Sequence, residues 1–179
     1  MDKVELQHRL KESHTQFVEF IASLSDVDFL YSQDSKWSAG QQLDHIIKSV
    51  SPVKTAFSLP TFMLRVLFGK ANRHTRAYDA LIEKYHQKLA EGGKASSRFI
   101  PPSIKYEQRK QLINQLNKTV SSLAGFINRF SERQLDTHIL PHPLLGKLTL
   151  REMLYFTIYH VHHHEKNIRE ALKTAKQQS

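Results

Sequence analysis

Apolar residues recur at three- and four-residue intervals in five stretches of the chain, whereas strand-like alternation and Asn-Gly or Asp-Gly hairpin signals are missing. The pattern predicts an all-α protein. Over residues 3–24, Leu6, Leu10, Phe17, Ile21 and Leu24 share one stripe, and residues 26–36 read as a polar connection. A second helix is predicted over residues 38–57. Ser38 opens it, with Gln41 three positions on, a pattern in which each side chain caps the other's backbone N–H. Pro60 permits a restart over residues 61–68, which are apolar nearly all round and are expected beneath a loop or at a subunit contact. The third long stretch, residues 73–90, carries Tyr78, Leu81, Ile82, Tyr85 and Leu89 and stops at Gly92-Gly93. Residues 92–102, ending in Pro101-Pro102, read as a loop. In residues 103–130, Leu112, Leu116, Val120, Leu123, Ile127 and Phe130 follow the spacing of a bundle seam. Residues 131–148 read as another loop, delivering the chain to a last helix whose Thr149 and Glu152 form a second capping pair. No repeat, low-complexity tract or linker divides residues 1–179. The expected architecture is therefore a single domain, with long amphipathic helices and one short helix in an antiparallel four-helix bundle.

A chain of 179 residues is long enough to bury a self-sufficient core. It has no cysteine, which excludes a disulfide framework, an iron-sulfur cluster and a protein thiol nucleophile, so any metal must be held by nitrogen and oxygen. The most apolar stretch, residues 57–68, contains Pro60 and Arg65 and falls short of the roughly 20 residues a membrane span needs. No apolar segment follows a basic start at the N-terminus, so the expected compartment is the cytoplasm. The net charge of +9 is concentrated late in the chain, with 12 basic against 6 acidic residues from Pro101 onward. Lys166, Arg169, Lys173 and Lys176 are nevertheless spread along the last helix with no aromatic residue interleaved. This reads as a solvated face, and nucleic acid is not the expected partner.

Histidine changes the picture more than charge does. The chain has 11, and five of them (His142, His160, His162, His163, His164) fall between positions 142 and 164. At about 100° per residue, the stripe of the last helix runs through Leu150, Leu154, Val161, Ile168 and Leu172. His164 lies about 40° from its centre and His160 about 80° on the same side, whereas His162 and His163 fall about 120° and 140° away, on the outer surface. Two imidazoles at i and i+4 can converge on one metal ion. The alternative is a pair of core histidines bonded to other partners. Position 161 is Val, so the H-E-x-x-H arrangement of a zincin-type protease is absent. A third ligand must come from another helix, where His14, His45 and His86 compete. Periodicity turns His45 about 140° from the stripe of its helix, toward the small and polar side chains of Ser38, Gln41 and Ser49, and so predicts it exposed.

Trp37-Ser38 followed seven residues later by His45-Ile46, then His142-Pro143-Leu144-Leu145-Gly146-Lys147-Leu148-Thr149 leading into His160-x-x-x-His164, resembles the DinB/YfiT-like metalloenzyme family over nearly the whole chain. The resemblance implies an up-down-down-up four-helix bundle and a divalent ion, nickel or zinc, held by His45, His160 and His164. It also implies a homodimer and a small-molecule substrate. Members of the resembled family include transferases and isomerases that depend on a low-molecular-weight thiol, beside proteins regarded as hydrolases. With neither cysteine nor a zincin glutamate, the chain is expected to carry out thiol-dependent transfer, with metal-dependent hydrolysis or a non-catalytic metal-binding stress-response role as alternatives. Trp37 is expected to pack beneath the second helix, and His142 to make a structural hydrogen bond in the turn. Asp44, about 100° from His45, is not expected to orient it.

Overall fold

Local capping chemistry fixes where several helices begin. In the computed structural model, which describes residues 1–33 and 36–177, both capping pairs form. The Ser38 hydroxyl accepts from Gln41 N while Gln41 Oε1 accepts from Ser38 N, and Thr149 and Glu152 exchange the same two bonds. The long helices are α1 (Lys3–Ser23), α3 (Ala39–Ser58), α6 (Arg109–Ile127) and α8 (Leu150–Gln177). Their stripes are buried as the spacing predicts: Leu6, Leu10, Phe17 and Ile21 from α1, Leu43, Ile47, Val50 and Phe57 from α3, Leu116, Val120, Leu123 and Ile127 from α6, and Leu154, Val161 and Ile168 from α8. Each such side chain contributes about 1.5–3 kcal/mol by leaving water.

Contacts between the ends give the helix directions. Arg151 Nη1 of α8 donates to Met1 O beside the start of α1, and Arg169 lies 3.9 Å over the Phe20 ring near its end, so α1 and α8 run parallel. Arg109 at the start of α6 reaches Leu24 O past the end of α1, and Gln7 reaches Ala124 O, so α1 and α6 are antiparallel. Arg129 beyond α6 meets Ser58 O at the end of α3, which makes those two parallel. The bundle is therefore up-down-down-up rather than antiparallel throughout. Two consecutive bundle helices that run parallel require a crossover along the length of the bundle.

That crossover contains α4 (Thr61–Phe68) and α5 (Tyr78–Ala90), the latter packed on α8, and 3-10 turns at Ser97–Phe99 and Tyr106–Gln108. The third and fourth predicted helices thus start later than their apolar patterns, at Tyr78 and Arg109. Two stretches read as connections are structured. Residues 26–36 contain α2 (Asp26–Leu30), capped by Ser25 and anchored by Phe29, whose ring lies so close to α3 that a Cβ at Gly40 would stand 2.8 Å from it. Residues 131–148 hold α7 (Glu132–Thr137) and an antiparallel hairpin of β1 (Ile139–His142) and β2 (Gly146–Thr149), turning at Gly146 with φ of 77°. The all-helical expectation missed this hairpin. Its four-residue strands contain Pro141 and lack the dipeptide signals of a tight turn.

Residues 61–68 do not lie beneath a loop: only Leu64 is buried, while Phe62, Val66 and Leu67 are exposed. No helix among the described residues is long and apolar enough to cross a membrane.

Candidate metal centre

α3 and α8 run antiparallel, which sets the first half of α3 against the middle of α8. His45 there meets His160 and His164, and all three are buried, 5%, 6% and 6% exposed. His160 Nε2 lies 3.0 Å from His164 Nε2 and 3.4 Å from His45 Nε2. Ring nitrogens of the three all fall within 4.8 Å of one another. Two nitrogens each about 2.05 Å from a common ion would be separated by about 2.9 Å at octahedral and about 3.3 Å at tetrahedral angles, so these spacings suit one divalent ion.

Hydrogen bonds on the far sides of two rings decide where their lone pairs point. His45 Nδ1 is 2.8 Å from Phe99 O, an acceptor only, so Nδ1 carries the proton and Nε2 the lone pair. His164 Nδ1 is 2.8 Å from Gln42 Oε1, and the Gln42 amide is held that way round because its Nε2 donates to Trp37 O. His164 therefore also presents a lone pair at Nε2. Burial, and then the repulsion of neighbouring histidines, holds His160 and His164 well below the ordinary imidazole pKa, and burial lowers that of His45 too. Three neutral imidazoles, two of them with lone pairs directed at His160 Nε2, form the donor set of a metal site with coordination positions left free. The residues fit the ion that the family resemblance implies.

Trp37 does more than support the helix start. Its ring is 4.8 Å from that of His45 and lies nearly parallel to His164 at 6.4 Å. On the other flank, Phe156 stacks on His160 at 4.7 Å. Asp44 pairs with Lys48, whose Nζ also reaches Ile100 O, tying the crossover beside Phe99 to α3; as expected, Asp44 does not hydrogen-bond to His45. The three histidines open on a cavity of about 230 Å³ walled by α3, α8, α5 and the hairpin, with Tyr85, Leu89, Phe99 and Leu144 among its lining and no carboxylate among the described residues that line it.

Two angular readings need correction. His45, predicted exposed, is buried because its side of α3 is covered by the crossover and Trp37 rather than by the bundle seam. His163, placed on the outer surface, is half-buried and lines the cavity because α5 brings Tyr85 to 5.6 Å from it. His162 is exposed as expected. The rival histidines do not join the cluster. His14 is buried on α1 with Nδ1 bonded to Leu10 O, and exposed His86 pairs with the Tyr159 hydroxyl at 2.6 Å. His142 makes its expected hydrogen bonds in the turn, to Leu144 N and Leu145 N, and also borders the cavity. Gln42 escaped the sequence reading, although its position one turn before His45 was a usable signal. The Phe99 carbonyl offered none, because a backbone acceptor has no residue signature.

A helical bundle with three converging histidines defines a class of metal-binding proteins. The DinB superfamily profile matches residues 9–168, and the chain belongs to that superfamily. A solved structure, that of YfiT from Bacillus subtilis, is similar with a TM-score of 0.63 and 18% identity, over 97% of this chain and 87% of that one. YfiT is described as a probable metal-dependent hydrolase with an unusual four-helix bundle topology. No curated protein matches the chain significantly.

Proposed function

We propose that the protein binds one divalent ion through Nε2 of His45, His160 and His164 and uses it to hydrolyse a small molecule held in the adjoining cavity. The observation that carries this reading is the convergence of three neutral imidazoles on the wall of a cavity. The description of YfiT points the same way. Nickel and zinc both suit imidazole ligands. When bound, such an ion supplies Lewis acidity, activating a nucleophile and polarising the oxygen of an electrophile. The chain's own part is to keep Nδ1 of His45 and His164 protonated through Phe99 and Gln42, and to exclude water from the ring faces with Trp37 and Phe156.

A second reading keeps the same ion but takes a low-molecular-weight thiol as nucleophile, for transfer rather than hydrolysis. It is favoured by the lack, among the described residues lining the cavity, of a carboxylate to accept a proton, since a thiol is deprotonated far more easily than water. We also propose that the exposed apolar side of α4, with Phe62, Val66 and Leu67, joins two copies of the chain. A monomer mass by light scattering at micromolar concentration would defeat that.

The test is metal content and thermal stability of the wild type beside His45→Ala, His160→Ala and His164→Ala, after chelation and re-addition of zinc, nickel or manganese. About one equivalent should bind to the wild type and none to the variants. Ester and amide substrates, screened with and without thiol, then separate the two chemistries. Absence of binding with every metal would end both.

A further inference from the structure

The imidazole of His142 takes no part in the three-histidine cluster, yet it borders the same cavity. It stands at the end of β1, where Nδ1 lies 3.2 Å from Leu144 N and 3.0 Å from Leu145 N. Both backbone groups are donors, so Nδ1 can serve them only with its lone pair. A neutral imidazole with a bare Nδ1 carries its proton on Nε2. A charged ring would set a third N–H against the two backbone N–H groups, and burial also disfavours the charge, pushing the pKa down to about 4. The hairpin thus builds a neutral N–H donor whose tautomer is fixed by its own turn, and that N–H has no hydrogen-bond acceptor among the described residues.

The ring is also held in place relative to the cluster. It meets Phe156 edge-on at 4.3 Å, and Phe156 stacks on His160. The other polar groups of the cavity point to the same kind of ligand. Among the described residues, the Tyr85 hydroxyl has no hydrogen-bond partner and no carboxylate lines the wall, and Lys94 adds a cation at the rim. Outside the three-histidine cluster, the unpaired groups of the cavity donate and much of the remaining wall is apolar, which selects a ligand that brings acceptors on a small apolar body.

We propose that His142 contacts the substrate, its Nε2–H donating to a carbonyl or carboxylate oxygen of a small, largely apolar molecule whose reacting end faces His45, His160 and His164. Calling that molecule a substrate rests on the metal-dependent reading above. The donor itself does not.

Two substitutions separate the two ends of the ring. In His142→Asn, Oδ1 can replace Nδ1 as acceptor for Leu144 and Leu145 while nothing occupies the place of Nε2. In His142→Gln, the longer amide can put an N–H near that place while the turn loses its acceptor. Hexanoate binding is measured by calorimetry on the full chain, both metal-free and zinc-loaded, with zinc stoichiometry and melting temperature beside it. The 15N shifts of the His142 ring report its tautomer. His142→Asn should weaken hexanoate about 10-fold in the metal-free protein with zinc stoichiometry unchanged, and His142→Gln should keep most of the affinity despite a lower melting temperature. The ring should be protonated at Nε2. Wild-type affinity in His142→Asn, a proton on Nδ1, or no hexanoate binding by the metal-free wild type would each overturn the proposal. Loss of hexanoate binding in His142→Asn alongside failure of zinc to bind would support the donor and defeat the metal reading instead.

Discussion

Glu152 and His160 stand eight residues apart on one helix, both buried, and their surroundings differ in one respect that separates structure from function. Around Glu152 every valence is answered. Its carboxylate accepts both terminal nitrogens of Arg73 at 2.6 Å, the backbone N–H and Nη1 of Arg76, and the N–H of Thr149. Nearby, Arg151 is gripped by Glu132 and Asp136. These contacts fasten the crossover and the hairpin to the start of α8. Around His160 the reverse holds: three imidazole nitrogens crowd one point, with protons fixed on the outer sides of His45 and His164. A polar cluster that closes on itself holds a fold together, and one left short of positive charge at its centre awaits a cation.

The largest effect should come from unbalancing the closed cluster. Arg73→Met removes two of the five hydrogen bonds to a fully buried carboxylate and should cost about 3 kcal/mol, the lower end of the range for breaking a buried pair. Denaturant unfolding measures it, and zinc stoichiometry should be unchanged. Burial alone would raise the Glu152 pKa, but the bonds from Arg73 and from the backbone of Arg76 and Thr149 outweigh it and hold the group below its ordinary value of 4.5. A carboxylate depressed in the folded state stabilises above its unfolded pKa, and that stability is lost as pH falls through the folded value. The acid-side decline below about pH 4.5 should therefore shrink in Arg73→Met. An unchanged decline would assign it to other carboxylates.

At the open cluster the informative change is one removed from the nitrogens themselves. Gln42→Leu deletes the acceptor that fixes the His164 tautomer, and affinity for zinc should fall about 10- to 100-fold, with His45, His160 and His164 still present. Competition with a chelating dye reads this directly. Affinity equal to wild type would mean that the Gln42 bond does not set the direction of the His164 lone pair.

These two regions also mark how far the sequence could be read. The long helices, their stripes and both capping pairs are local properties and were legible, as was the nearness of His160 and His164, one turn apart. Long-range partners were not. Arg73 and Glu152 are 79 residues apart, and nothing in either segment announces the other. The burial of His45 depends on Trp37 and on the Phe99 carbonyl 54 residues away, so a helical wheel of α3 sees only a polar face. The resemblance to a family placed His45 where periodicity alone would not. His163 was misjudged for the same reason: the wheel accounts for the bundle seam but not for a crossover helix laid against the outside.

The smallest expected effect tests whether a buried histidine outside both clusters behaves as a plain liability. His14 is 1% exposed, its Nδ1 donates to Leu10 O, and its Nε2 has no partner. Burial drives its pKa down to about 4, against the partial support of the Leu10 bond. Here the unfolded chain binds the extra proton, so folding stability is lost as pH falls below the unfolded value of 6.5. Between pH 7.5 and pH 5.5 the loss from this residue should be about 1.3 kcal/mol. His14→Leu removes the titrating group and the unpaired nitrogen together, so that fraction of the pH dependence should vanish. The comparison is made on metal-free protein, where the buried histidines of the open cluster remain and add their own slope in both variants. An identical slope in wild type and His14→Leu would mean that His14 gains a proton partner on acidification, and that its isolation on α1 is not maintained.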